Sequence, residues 1–160
     1  MAQLKNDCFA FGGDLIPLSQ ALDDLRTRVS SVVGIETVPL IAAIGRILAE
    51  DIIADRDVPP HNNSAVDGYA IYFDDLDRAQ NTRLCVAGRI AAGHPLDRPA
   101  QRGNAYQIFT GAPMPLGEDG GPDTIYMEED CNVEGNVVTF PVGLKSGANR
   151  RMQGEDVKTV

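Results

Sequence analysis

A chain of 160 residues with 43% hydrophobic residues is long enough for one compact domain or two small ones with a real core. Its 14 Lys and Arg against 23 Asp and Glu give a formal charge of −9, which argues against a nucleic-acid binder and excludes a polybasic membrane anchor. With 16 glycines and 10 prolines it reads as an acidic, soluble, turn-rich protein of short strands.

The N-terminal MAQLKNDCFAFGGDL carries Lys5 and Asp7 and lacks the apolar core of a signal peptide. No later stretch approaches the roughly 20 apolar residues of a membrane span. A helix is predicted over Ser19–Val29, where Leu18, Leu22, Leu25 and Val29 fall on one face. Ser19 is placed to cap it, and Asp23 and Asp24 precede Arg26 and Arg28 in the order that suits the helix dipole. A second apolar stripe runs through Leu40, Ile41, Ile44, Ile47 and Leu48, with Pro39 in the place of a first helical residue and Gly45 weakening the middle. Both stripes read as core.

After Asp55 the texture becomes β. An aromatic-rich strand follows Asp67-Gly68, and period-two runs follow at 83–90, 105–110, 123–129 and 136–140, punctuated by turns such as Ala92-Gly93-His94-Pro95 and Glu134-Gly135-Asn136. No helical pattern separates these runs, so the expectation is an antiparallel unit over 58–141. Cys8, Cys85 and Cys131 are widely spaced and form no Cys-x-x-Cys, and His61 and His94 add no zinc pattern. Free thiols and a reduced, cytoplasmic compartment are expected.

Three turn-bounded segments carry chemistry. In Pro59–Ala70 the prolines stiffen the entry, Asn62, Asn63 and Ser64 can fold back on the backbone, and Asp67 stands at a strand mouth. That aspartate suits a Mg²⁺ ion or a ligand hydroxyl; an Asx-type turn is the plainer alternative. At Ile108–Pro115 a strand stops at Thr110-Gly111, exposing a hydroxyl and backbone N–H groups of the kind that make an anion nest. The third has Arg150 and Arg151 as forked donors ahead of Glu155 and Asp156, suited to an oxyanion and a bridging metal, or to a plain solvated charge cluster. A carboxylate pair on the strand through Glu128 and Glu129 would need Glu128 with Asp130, since neighbours point to opposite faces.

In this order the segments resemble the N-terminal region of the molybdopterin molybdenumtransferases, the enzymes related to bacterial MoeA and the E domain of gephyrin. Asp57–Ala70 matches D-V-P-x-[FH]-x-N-S-A-[MV]-D-G-Y-A, Ile108–Gly117 matches I-x-T-G-A-P-[MV]-P-x-G, and Met127–Glu129 matches M-x-E. Gly147–Asp156 matches the closing G-x-N-x-R-x-x-G-E-D, and Leu40–Ile53 occupies the place of G-R-x-L-A-x-D-[IV].

The resemblance implies a mainly β, α+β fold in two lobes, 1–57 plus 142–160 with the helices and 58–141 as an inserted β lobe. It implies an enzyme that inserts molybdenum from molybdate into adenylylated molybdopterin, releasing AMP, with Mg²⁺ or a similar ion. Family members are elongated dimers whose cleft lies between this β region and the partner's pterin-binding α/β domain. Carried over by position, Asp67 and Thr110 are the catalytic candidates, with Asp67 also the metal ligand. Asn63, Ser64, Gly111, Arg151 and Asp156 are the substrate-binding candidates. The chain covers well under half of a typical member and stops before the pterin-binding domain, so it is expected to be inactive alone.

Two departures stand out. Many relatives carry aspartate where this chain has Asn62, and the stretch 117–123 is longer than the usual form. Two other readings compete: a non-catalytic dimerisation or ligand-binding module, and a metal-assisted hydrolase built on Asp67 and Asp156. Preference between molybdate and tungstate is not written in the sequence.

Overall fold

The computed structural model describes residues 16–160. The readings of the N-terminal segment and of Cys8 fall outside them. The chain divides into two units, one through Asp51 and one from Ile52 to Val160.

In the first unit, the spacing of Leu18, Leu22 and Leu25 builds helix α1, Leu18–Arg28. It begins one residue before the predicted start. Pro17, extended at φ −58° and ψ 146°, is the N-cap, and no side chain caps the helix, so Ser19 sits inside the first turn. Arg26 and Arg28 occupy the last turn, where positive charge suits the dipole. The second stripe does not become a helix. Pro39 precedes a single 3-10 turn, Leu40–Ala42, and Gly45 at φ +80° stops propagation. Neither stripe is core: Leu18 is 75% exposed, Ile41 87% and Ile47 96%. Periodicity marks an apolar face without saying that the same chain covers it. Among the described residues no helix is long and apolar enough to cross a membrane.

The second unit holds eight strands: β1 Asn63–Ser64, β2 Gly68–Ile71, β3 Thr82–Ile90, β4 Asn104–Ile108, β5 Thr124–Met127, β6 Asn132–Glu134, β7 Val137–Phe140 and β8 Arg150–Arg151. Six form one sheet in the order β5-β2-β4-β3-β7-β6, and β1 pairs with β8 in a separate ribbon. The mainly β class with one α-helix is as expected, but the pairing is not purely antiparallel. β3 and β4 run parallel, with Cys85 facing Asn104 and Ile90 facing Ile108. Parallel neighbours need a crossover of about a dozen residues. The loop 91–103 supplies it without a helix, turning at Gly93 and anchored where Ala100 N–H donates to Leu116 O at 2.7 Å.

β2 explains the run of apolar residues after Gly68. All four of its residues are buried. Tyr69 and Ile71 pack with Leu84, Val138 and Phe140, while Ala70 and Tyr72 pack with Ile90, Tyr106 and Ile108. Period two is present, but both faces are covered. Gly68 itself is not the turn glycine that Asp67-Gly68 suggests. It opens β2 opposite Met127, and a Cβ there would fall on the Tyr126 carbonyl oxygen, so the close approach of β5 demands glycine. β5 also ends earlier than predicted. Glu128–Asp130 form a 3-10 turn, so strand alternation does not place Glu128 and Asp130 on one face.

The closing segment belongs to this unit by its bonds. Val58 N–H donates to Val157 O at 2.8 Å, and Asp156 N–H returns to Val58 O at 2.9 Å.

Candidate functional site

The three segments singled out from sequence meet at β1. On one side Ser64 N–H donates to Ala112 O at 3.0 Å, Gly111 N–H donates to Ser64 O at 2.9 Å, and Met114 N–H donates to Asn62 O at 2.9 Å. On the other, Asn63 faces Arg151 and Ser64 faces Arg150 in the ribbon with β8, continued by Ala65 N–H to Asn149 O at 2.9 Å. A two-residue strand thus stitches together pieces of chain that lie far apart in sequence.

Asp67 and Thr110 form the sharpest contact. The Thr110 backbone N–H and its hydroxyl both donate to Asp67 Oδ1, each at 2.7 Å. These two bonds, the hydroxyl's first, hold the Asp67 carboxyl below the ordinary aspartate range. It is therefore a fixed negative charge at neutral pH and a poor proton carrier. β4 ends at Ile108, and Gly111 turns the chain at φ +78°, which delivers Thr110 to Asp67.

This geometry revises the anion-nest expectation. The N–H groups of Thr110 and Gly111 are both spent, on Asp67 and on Ser64 O. Ser64 is not presented to a ligand either: it is buried, its hydroxyl donates to Val66 O at 2.5 Å, and it accepts Val66 N–H at 3.3 Å. It locks the turn that carries Asp67. Asn63 keeps a buried Oδ1 with no partner among the described residues.

Arg151 and Asp156 do come together. Arg151 Nη2 lies 2.6 Å from Asp156 Oδ1 and its Nε 3.4 Å from Glu155 Oε1, and these contacts, led by the Asp156 bond, push the guanidinium's pKa further up. The fork expected to hold an oxyanion is thus already engaged by its own loop. Asp57, to which the sequence assigns no role, and Asn62, expected to fold back on its own backbone, hold that loop. Asp57 accepts Gln153 Nε2 at 2.7 Å and Thr159 N–H at 2.9 Å, and Asn62 Oδ1 accepts Gln153 N–H at 2.8 Å. Asp57 stands first in the matched D-V-P run, which was the available signal. An aspartate at position 62 could accept the same bond, so this position is explained as a clamp rather than a metal ligand.

Among the described residues no three His, Cys, Asp or Glu side chains converge where they could hold a metal ion. Asp67 brings one carboxylate, with Oδ1 already taken by Thr110. The residues present do not make a cation site by themselves, so a Mg²⁺ ion beside Asp67 would need further ligands from the substrate.

The sequence profile of the MoeA N-terminal region (domain I and II) matches residues 16–160. The chain is 37% identical over 145 residues to a molybdopterin molybdenumtransferase of Haemophilus influenzae, covering 90% of this chain and 34% of that protein. It is 35% identical over 151 residues to one of Synechococcus elongatus, covering 90% and 36%. The crystal structure of the molybdopterin biosynthesis moeA protein from Pyrococcus horikoshii OT3 superposes with a TM-score of 0.73 at 33% identity, covering 91% of this chain and 38% of that one. The chain spans about a third of the length of the curated relatives it matches. With motifs, fold and profile agreeing from residue 16 onward, the chain belongs to the MoeA N-terminal region family.

Proposed function

We propose that this chain is the N-terminal part of an enzyme that inserts molybdenum from molybdate into adenylylated molybdopterin and releases AMP. The observation that carries the reading is the Asp67–Thr110 contact. Two residues 43 positions apart are locked together at a strand mouth, where nothing in the core requires a charge. Asp67 is the fixed anion that orients a ligand hydroxyl or a substrate-bound Mg²⁺, and Thr110 holds its carboxylate in one rotamer. Beyond its chain neighbours no atom lies within 4 Å of the Cβ position of Gly111, so a ligand has room to approach the pair there.

Asn63, Arg151 and Asp156 are proposed as substrate contacts on the β1–β8 ribbon, with Ser64 and Gly111 shaping the turns beside them. Arg151 can turn from Asp156 toward an incoming oxyanion, exchanging one charge-assisted bond for another. The net charge of −9 repels anionic substrates, so such local donors matter more than the overall field.

The family's dimer is proposed here as well, with the exposed apolar faces of α1 and of residues 40–48 as the surfaces that a second copy covers. Eleven residues of helix with no buried member are a poor end state for a free surface. The lobes 1–57 plus 142–160 and 58–141 are proposed for the complete protein, supported by the bonds of Asp57 to Gln153 and Thr159, which tie the entry segment to the closing one. A cytoplasmic location fits the substrates and the free thiols.

The test is AMP release from adenylylated molybdopterin by the complete native gene product. Release that requires molybdate and is accelerated by Mg²⁺ is expected. A native product without such turnover would leave the family's binding-module reading instead.

A further inference from the structure

The stretch 117–123, longer here than in the family's usual form, contains an aspartate followed directly by glycine, Asp119-Gly120. Glycine follows aspartate at one other place, Asp67-Gly68, and no asparagine in the chain precedes a glycine. Such a pair carries a latent reaction. The backbone nitrogen of the glycine can attack the carboxyl carbon of the preceding side chain, because no Cβ on the glycine obstructs the approach. Access and the freedom of both residues to turn decide whether the reaction runs, and the fold sets both.

The two pairs stand at opposite extremes. Gly68 is buried and lies in the ladders of β2, opposite Ile108 on one side and Met127 on the other. Asp67 Oδ1 accepts both Thr110 donors at 2.7 Å, and the Asp67 carbonyl oxygen accepts Glu128 N–H at 3.1 Å. Turning this pair into the reactive geometry would break those bonds and the start of β2. An ionised carboxylate is also a poor electrophile, and the Thr110 bonds, the hydroxyl's first, keep the Asp67 carboxyl below the ordinary aspartate range. Asp119 and Gly120 are both exposed and belong to no strand. Asp119 sits in the left-handed region at φ +50°, which aspartate tolerates better than most residues, and Gly120 follows at φ +95°. Beyond its chain neighbours no atom lies within 4 Å of the Cβ position of Gly120, so the chain has room to turn there. The Asp119 side chain is 79% exposed, and Arg102, with Nη2 at 2.8 Å, is its partner.

We propose that Asp119 is a site of spontaneous modification to isoaspartate, through a succinimide closed by the Gly120 nitrogen. In the first step a bond forms between that nitrogen and Asp119 Cγ, a Cγ–O bond breaks, and one water leaves with the Gly120 N–H proton and the carboxyl oxygen. Water then adds to one of the two ring carbonyls. Opening at Cγ restores aspartate, and opening at the backbone carbonyl of Asp119 leaves the chain running through the side chain. Nothing is oxidised or reduced, and water is the only co-reactant. The product has one more methylene in its backbone and carries its carboxylate on Cα, so the ion pair that ties the loop to Arg102 is lost while Arg102 keeps Asp75 at 3.5 Å. The site is independent of the molybdenum-transfer reading.

The experiment incubates the folded chain for several weeks at neutral pH in water enriched in ¹⁸O and then digests it in ordinary water. Mass spectrometry follows the two Asp-Gly peptides, with electron-transfer fragmentation to tell isoaspartate from aspartate. Heavy oxygen and isoaspartate are expected to accumulate at Asp119 and to stay at the starting level at Asp67. In guanidinium chloride, where the ladders of β2 and the Thr110 bonds are gone, both positions should react. Gly120→Ala, which puts a methyl group into open space, should slow the reaction at Asp119 several-fold in a chain whose tyrosine near-UV circular dichroism is unchanged. The proposal is overturned by a folded chain without isoaspartate at Asp119, by equal accumulation at Asp67 in the folded chain, by an Asp67 that stays unreactive once unfolded, or by an unchanged rate in Gly120→Ala.

Discussion

Gly68→Ala puts one methyl group where the structure has no room for it. The new Cβ would lie 1.8 Å from the Tyr126 carbonyl oxygen and press on the Met127 backbone, and both are main-chain atoms of β5 that cannot swing aside as a side chain could. Relief requires β5 to move away from β2, whose ladder runs from Gly68 opposite Met127 to Ile71 opposite Thr124. Overpacking of that kind costs about 3 kcal/mol, near the upper end for a single added methyl group. Urea unfolding is the assay, followed by tyrosine near-UV circular dichroism. The chain has no tryptophan, and its 4 tyrosines are all buried in the second unit, so the signal reports that unit alone. With an m-value of about 1.5 kcal/mol/M, the midpoint should fall by about 2 M. Gly93→Ala is the control. Gly93 adopts φ +77° with open space around it, so alanine there carries only conformational strain of about 1 kcal/mol. A Gly68→Ala midpoint no lower than that of Gly93→Ala would refute the packing argument.

Three further outcomes are expected. Thr110→Val removes the hydroxyl that does most to lower the Asp67 pKa while keeping the backbone N–H, so the carboxyl should titrate higher by ¹³C NMR, nearer the ordinary aspartate range. By linkage, the depressed pKa stabilises the fold above the ordinary range, and this contribution is lost as pH falls through the folded value. The variant should therefore show a smaller acid-dependent loss, and an Asp67 titration identical to wild type would exclude the bond. Phe140→Ala empties a site where the ring is 1% exposed and lies 5.1 Å from Tyr126 and 6.1 Å from Tyr69, centroid to centroid. It should cost about 3–5 kcal/mol by urea unfolding, and a loss under 1 kcal/mol would contradict the assigned core. Burial, with Asp130 and Glu128 adding to it, pushes the Cys131 thiol up to about 12, whereas Cys85 is exposed. In a Cys8→Ser background at pH 8, a thiol reagent should therefore label Cys85 first.

The β unit was legible because its signals are local. The runs at 83–90, 105–110 and 136–140 become β3, β4 and β7 to within a residue or two, since period two and turn residues act over a few positions. The two-residue strands β1 and β8 were not legible. They are too short for any period, and their partners lie about 90 residues away. The same distance hid the clamp of Gln153 by Asp57 and Asn62. The parallel β3–β4 pair is not legible because its crossover carries no helical pattern, and the loop 91–103 shows that length suffices. The helix stripe is legible as apolar but not as covered or uncovered, because periodicity says nothing of what packs on such a face. Asp67 and Thr110 were singled out from their turns and from the family motifs, while the bond between them needed the fold.

The central claim is that Asp67 and Thr110 act as one unit in molybdenum transfer, and a double-mutant cycle on kcat in the complete protein tests it most directly. Asp67→Ala and Thr110→Val would each be compared with the double variant, using molybdate-dependent AMP release. Loss of a preorganised charge from such a site lowers turnover by about 100-fold. If the 2.7 Å contact is what matters, the double variant should be no slower than Asp67→Ala alone. Losses that multiply, or an Asp67→Ala protein with undiminished turnover, would contradict the account.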